Sequence, residues 1–293
     1  MRAPPREVEI APGVLMPTLA FGTFKLRGDA CRDAVRDALA TGFTHVDTAT
    51  CYRNETDIRA ALDAMHTEDA KKIFVTSKIA PGEMREEKDT EAAIEATRER
   101  LGRAPDLLLV HWPGASKAAP ESDAHAEVRL RTWRVFERAL RDGKCRAIGV
   151  SNFEAKHLME LLKACECKPA VNQIELHPAY PQSELRKTCA ELGVHVQAYS
   201  PLGCGELIGD SRVEAYANAL GLASAPALIR WPLSLQPTCS VVAKSSARAR
   251  TEENFSALSP LRNDVDVGAC VKSIEEAFQN DRRKFCWDPA AVK

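Results

Sequence analysis

Residues 107–150 read LLLVHWPGASKAAPESDAHAEVRLRTWRVFERALRDGKCRAIGV. The stretch opens on four aliphatic residues, Leu107–Val110, and closes on Ala147–Val150. Both runs are apolar throughout, as a strand buried on both faces must be. Between them Trp133, Phe136 and Leu140 fall three and four residues apart, which lays an apolar stripe along one face of a helix. Asp142-Gly143-Lys144 then stops that helix, because glycine takes the left-handed capping conformation without a Cβ penalty. Strand, helix and second strand make a crossover unit, and two strands joined this way run parallel in one sheet.

The same rhythm extends in both directions. Runs at 18–22, 43–47 and 73–77 precede the unit, and runs at 171–174, 194–199 and 240–243 follow it. Val35 and Leu39, followed by Gly42, repeat the helix-and-stop pattern early in the chain. Eight parallel strands with helical crossovers predict an α/β fold of the closed (β/α)8, or TIM-barrel, type, with a doubly wound open sheet as the competing arrangement. Ahead of the barrel, Val8 and Ile10 face Val14 and Met16 across Pro12-Gly13, which reads as an N-terminal β-hairpin plugging the bottom. The C-terminal tail from Asn263 to Lys293 is irregular; a short helix over 271–278 and an extended end across the barrel are expected there. A barrel of this kind uses about 250 residues, so residues 1–293 are expected to form one domain.

Composition narrows the possible partners. Forty basic and 41 acidic residues leave a formal net charge of −1, so nothing in bulk draws the chain to nucleic acid or to an anionic membrane. A small-molecule partner fits that balance better. The opening MRAPPREVEI carries charges and prolines where a signal peptide has its apolar stretch. No later segment approaches the ~20 apolar residues of a membrane span. A soluble, cytoplasmic monomer is expected. The ten cysteines are scattered through a chain large enough to bury its own core, and they read as reduced thiols. Cys165 and Cys167 form the one close pair, and without histidine at ligand spacing no metal site is expected.

The informative polar residues stand where the expected strands stop. In a barrel all eight carboxyl ends open on one face, so residues distant in sequence converge there. Asp47 closes the second strand, Lys78 the third, and His111 follows the fourth. Ser151 and Asn152 follow the fifth, Gln173 lies on the sixth, Tyr199 ends the seventh, and Lys244 and Ser245 follow the eighth. Tyr52, five residues beyond Asp47, can lean over the same mouth. A phenol titrates near ~10, and a lysine ammonium beside it is expected to lower that value. Lys78 would supply the charge, Asp47 would hold the lysine, and His111 would orient a carbonyl oxygen. Taken singly each residue has a plainer reading: a solvated strand-end charge, a rim aromatic, a core histidine. Their joint placement favours chemistry.

Seven segments, GFTHVDTATCYRNE, VTSKI, LLLVHWP, AIGVSNF, VNQIELHP, AYSPLG and VVAKSSARARTEEN, occur in that order between residues 42 and 254. In this the chain resembles the aldo-keto reductases. The resemblance implies NADPH-dependent reduction of an aldehyde or ketone, with Asp47, Tyr52, Lys78 and His111 as the catalytic tetrad and Tyr52 as the proton donor. It implies that Ser151, Asn152 and Gln173 meet the nicotinamide carboxamide and that Tyr199 stacks on the ring. Ser200 and Leu202 would lie by the pyrophosphate, Lys244, Ser245 and Arg250 would take the 2′-phosphate, and Glu253 and Asn254 would meet the adenosine. Gly22 and Thr23, where the first strand stops, complete the expected cofactor contacts. Lys244, Arg248 and Arg250 crowd one turn-to-helix segment with Ser245 at the expected helix start, which also favours NADPH over NADH.

Phe24, Cys51, His111 and Trp112 are expected to wall the substrate pocket. Two positions depart from the family pattern: Ala243 stands where proline is usual, and Phe24 where many members carry tryptophan. Gly203, Gly205 and Gly209 imitate a dinucleotide fingerprint at the wrong spacing. The rival reading keeps the cofactor and drops the chemistry: a relative that binds NADPH and serves as a binding or regulatory module.

Overall fold

The computed structural model describes residues 3–293. Two short strands come first, β1 (Glu7–Ala11) and β2 (Val14–Pro17), paired antiparallel with Val8 opposite Met16. Ile10 falls in a register shift between Glu9 and Ala11, so it does not pair with Val14 as the alternation suggested. Eight parallel strands follow: β3 (Leu19–Gly22), β4 (His45–Asp47), β5 (Phe74–Ile79), β6 (Leu107–Val110), β7 (Ala147–Ser151), β8 (Val171–Glu175), β9 (His195–Tyr199) and β10 (Ser240–Ala243). They close into one barrel, β10 pairing with both β9 and β3. The open-sheet alternative is thereby excluded.

Helices fill the crossovers: α1 (Gly28–Thr41), α2 (Glu55–Asp63), α3 (Thr67–Lys72), α4 (Glu87–Leu101), α5 (Ala124–Arg141), α6 (Ala155–Leu162), α7 (Ser183–Glu191), α8 (Ser211–Leu220), α9 (Ser224–Leu233) and α10 (Arg248–Phe255). Gly42 ends α1 in the left-handed conformation, where its amide bonds the Ala38 and Leu39 carbonyls. In the tail, α11 covers Val267–Ala277, four residues earlier than the sequence indicated, because the Asp266 carboxylate caps it by accepting from the Ala269 amide.

Two apolar bodies hold the barrel. The larger lies between strands and helices and includes Val35, Ile58, Trp133, Phe136, Phe153 and Trp231, all essentially inaccessible. The smaller sits inside the amino end, where Phe74, Leu107, Leu109 and Val171 meet Val14 and Met16 of the hairpin. The hairpin is thus the floor. Moving up the interior the side chains turn polar. His45 bonds Thr76 at 2.8 Å, Gln197 bonds Gln173 at 2.7 Å, and the carboxyl ends of the strands bring Asp47, Lys78, Glu175 and Tyr199 to the opposite mouth.

Candidate active site

The mouth is organised by one buried ion pair. Lys78 on β5 and Asp47 at the end of β4 are each under 5% exposed, with Nζ 2.5 Å from Oδ1. The ammonium also donates to the Thr48 carbonyl at 2.8 Å, and Gln173 Nε2 donates to the second Asp47 oxygen at 2.8 Å. Such a pair survives burial only when hydrogen bonds meet much of its remaining capacity; here both carboxylate oxygens and two of the three ammonium protons have partners.

Tyr52 stands over the pair. It lies in a short helical turn, Thr50–Tyr52, that ends at Arg53 in the left-handed conformation, and Lys78 Nζ is 5.3 Å from its ring centroid. Asn54 fixes the turn from below: its amide donates to the Thr23 and Leu26 carbonyls while its oxygen accepts from Thr48 Oγ1, tying the loops after β3 and β4 together. The His111 ring meets Tyr52 edge-on with centroids 5.8 Å apart, and its Nδ1 faces the Cys51 sulfur at 3.5 Å. Burial and then the Lys78 charge push the His111 imidazole down to about 3, so it is neutral at physiological pH.

The phenol behaves opposite to the expectation from sequence. Burial, and then the Asp47 carboxylate, hold Tyr52 well above the usual tyrosine value. The lowering expected from Lys78 does not prevail, because burial of the phenol and the nearby Asp47 carboxylate outweigh it. Tyr52 is therefore fully protonated at neutral pH.

The remaining sequence candidates fall into three groups around this centre. Ser151 Oγ donates to the Gln173 carbonyl, and Asn152, itself left-handed at φ 64°, donates to His111 O and accepts from the Tyr199 hydroxyl at 2.7 Å. Gly22 and Thr23 close the first strand, with Thr23 N and Oγ1 both donating to Asp47 O. A Cβ on Gly22 would come within 2.9 Å of Val242, so only glycine lets β3 and β10 pass there. Phe24 lies 5.0 Å from the Tyr52 ring, and Trp112 packs beside Gly114 near Val292.

A second polar corner forms where β10 ends. Burial, and then Arg250 and Lys25, lower the Lys244 pKa: three cations share the corner, and none of them has an acidic partner among the described residues. Arg248, by contrast, pairs with Glu252 on the surface at 2.9 Å. Ser245 does not start the helix as its position suggested; α10 begins at Arg248, and Ser245 Oγ instead accepts from the Ala247 amide in the turn before it. Glu253 is exposed and Asn254 buried on α10, and Ser200 is left-handed at φ 49° beside Leu202 in the loop after β9.

A model of the Aldo/keto reductase family matches residues 18–275. The chain belongs to this family. It is 38% identical over 271 residues to an aldo-keto reductase of Mycobacterium sp. strain JLS, covering 92% of this chain and 93% of that one. It is 36% identical to the glyoxal reductase of Bacillus subtilis strain 168 over 84% of this chain and 85% of that protein. A mutant of Gox0644 solved in complex with NADPH superposes with a TM-score of 0.85 at 28% identity, with both chains covered in full.

For an aldo/keto reductase, three groups at this mouth escaped sequence reasoning. Gln197 buttresses Gln173 from the neighbouring strand. Asn54 belongs to the quoted CYRNE segment, yet its loop-tying role needs coordinates. Glu175 lies one inward position above Gln173 and is fully buried. Strand periodicity was the available signal, since residues two apart point to the same face.

Proposed function

We propose that this aldo/keto reductase binds NADPH across the carboxyl mouth of the barrel and reduces an aldehyde or ketone, with Tyr52 delivering the proton. The observation that carries the reading is the dry Asp47–Lys78 pair beneath a protonated phenol, beside an imidazole that stays neutral. When bound, the reduced nicotinamide supplies the hydride. The corner of Lys25, Lys244 and Arg250 suits the cofactor's 2′-phosphate, because uncompensated cations at close range gain most from an added dianion. That preference favours NADPH over NADH.

Each residue then has a physical task. Tyr52 donates its hydrogen bond to the carbonyl oxygen and transfers the proton as negative charge develops there; its high pKa keeps it loaded until that oxygen is more basic than a phenolate. Lys78 stabilises the phenolate left behind, and Asp47 holds the ammonium in place. The Cys51 sulfur lies against His111 Nδ1; with the thiol as donor there, Nε2 carries the hydrogen directed at the substrate. Ser151, Asn152 and Gln173 meet the nicotinamide amide, and Tyr199, anchored through Asn152, stacks on the ring. Ser200 and Leu202 lie along the pyrophosphate, Ser245 joins the phosphate corner, and Glu253 and Asn254 face the adenosine. Phe24, Cys51 and Trp112 form the substrate walls.

The test is Tyr52→Phe. NADPH binding, followed by protein fluorescence, should persist while turnover of nitrobenzaldehyde falls by about 10²- to 10⁴-fold, the usual worth of a positioned acid. Retained reductase activity would remove Tyr52 from the mechanism.

A further inference from the structure

The Glu175 carboxylate is fully buried, yet it belongs to none of the groups assigned above. Its oxygens accept from Phe285 N at 2.6 Å, Cys286 N at 3.1 Å, Lys284 Nζ at 2.7 Å and His177 Nε2 at 3.1 Å. Three consecutive residues of the tail are thus gathered onto one acid at the top of β8. Their neighbours reinforce the placement: Arg283 N bonds the Ala179 carbonyl, and the Phe285 ring lies 5.1 Å from that of His177. Gly203 makes room, since a Cβ there would stand 2.7 Å from the Phe285 ring.

A few residues further on, the tail is fastened again across the mouth. Lys156 Nζ holds the Ala290 carbonyl, His157 the Val292 carbonyl, and the buried Arg129 the Lys293 carbonyl. Trp287 lies between the two attachments. It is 66% exposed, and its ring meets Phe24 edge-on at 6.3 Å, Phe24 in turn lying 5.0 Å from Tyr52. An exposed indole costs free energy in water unless something covers it, and here it continues an aromatic wall that begins at the phenol.

We propose that Glu175 is a positioning residue for carbonyl selectivity: it clips residues 284–286 over the barrel mouth so that Trp287 faces Phe24 and favours substrates bearing an aromatic ring. The inference rests on the reductase reading above. A carbonyl held at Tyr52 projects its substituent toward this wall; an aryl group gains edge and face contacts with Phe24 and Trp287, whereas a two- or three-carbon dicarbonyl ends short of Trp287. Glu175 itself touches no reacting atom. Its influence passes through the backbone amides it accepts from.

The experiment compares nitrobenzaldehyde with methylglyoxal under saturating NADPH for the parent, Trp287→Ala, Glu175→Gln and the double variant. In Glu175→Gln the NH2 that replaces Oε2 cannot accept from Lys284 or Cys286. Both single variants should lower the ratio of kcat/KM for nitrobenzaldehyde to that for methylglyoxal by about three- to tenfold, through KM, as expected for losing one aromatic contact. The double variant should add nothing beyond Trp287→Ala. Hydrogen exchange supplies a readout independent of turnover: the Phe285 and Cys286 amides should exchange faster in Glu175→Gln and keep the parent rate in Trp287→Ala. If Glu175→Gln fails to fold, Lys284→Ala loosens the same clip from the tail side, where the lysine is only partly buried. An unchanged ratio in Trp287→Ala overturns the inference, as does faster exchange in the Glu175 or Lys284 variant without a change in ratio. A parent enzyme that consumes no NADPH with either carbonyl would instead overturn the reductase reading itself.

Discussion

The two ends of the barrel are built from the same strands and solve opposite problems. At the amino end Phe74, Leu107, Leu109 and Val171 meet Val14 and Met16 of the hairpin in an apolar plug. At the carboxyl end the same strands bury an ion pair, a carboxylate and two glutamines beneath a half-buried phenol. Apolar contacts at the floor gain free energy with no geometric demand beyond shape. Charges at the mouth are costly to desolvate and persist there only because partners on β4, β5, β8 and β9 are each held in place. The floor can therefore carry the stability that the mouth gives up, and residues at the two ends should fail differently when altered.

Lys78→Met presses hardest on this contrast. It strands the Asp47 carboxylate, so unfolding free energy should fall by about 3–5 kcal/mol and turnover should drop below detection. Urea denaturation and NADPH consumption measure the two effects. Leu109→Ala at the floor should cost a comparable amount, about 2–5 kcal/mol, while leaving kcat and KM at parent values. If Leu109→Ala damaged catalysis as much as stability, the ends would not be separable. Arg250→Met sharpens the comparison at the edge of the mouth. It has no acidic partner among the described residues to lose, so stability should stay within about 0.5 kcal/mol of the parent, whereas the KM for NADPH should rise about tenfold, the worth of one charge-assisted hydrogen bond. The KM for NADH should not move.

The floor was far more legible in sequence than the mouth. All eight barrel strands and the hairpin could be read because an apolar run such as Leu107–Val110 admits few alternatives once its neighbours repeat. Asp47, Lys78 and His111 could be placed at one rim because strand ends are legible too. The electrostatics were not. That burial and Asp47 outweigh Lys78 at the phenol depends on atomic placement, which no spacing encodes. Glu175 was hidden in a similar way: within VNQIELHP it looks like one more inward strand residue, and apart from His177 its side-chain partners lie more than a hundred positions away in an irregular tail. Long-range polar pairing has no period, so it leaves no pattern to read.

Titration offers the finest version of the comparison, because each half of the barrel holds a neutral histidine. His45, near the floor, bonds the Pro17 carbonyl and Thr76, and burial depresses its pKa to about 4. His111, at the mouth, is depressed to about 3 by burial and by Lys78. For both, the folded value lies below the ordinary 6.5, so the unfolded chain takes up the proton first. Their contribution to stability is complete above pH 6.5 and is lost as pH falls toward the folded values, with each imidazole steepening the decline by at most about 1.4 kcal/mol per pH unit. His45→Gln and His111→Gln should each flatten the stability curve between pH 6.5 and pH 4.5 by one proton's worth. Activity separates them. Because His111 stays neutral over that range, the parent's kcat should be level from pH 7 down to pH 5; His45→Gln should keep that level profile, and His111→Gln should reduce turnover at every pH. A parent kcat that fell with a midpoint near 6.5 would mean that His111 titrates as an exposed imidazole, and the dry environment assigned to the mouth would be wrong.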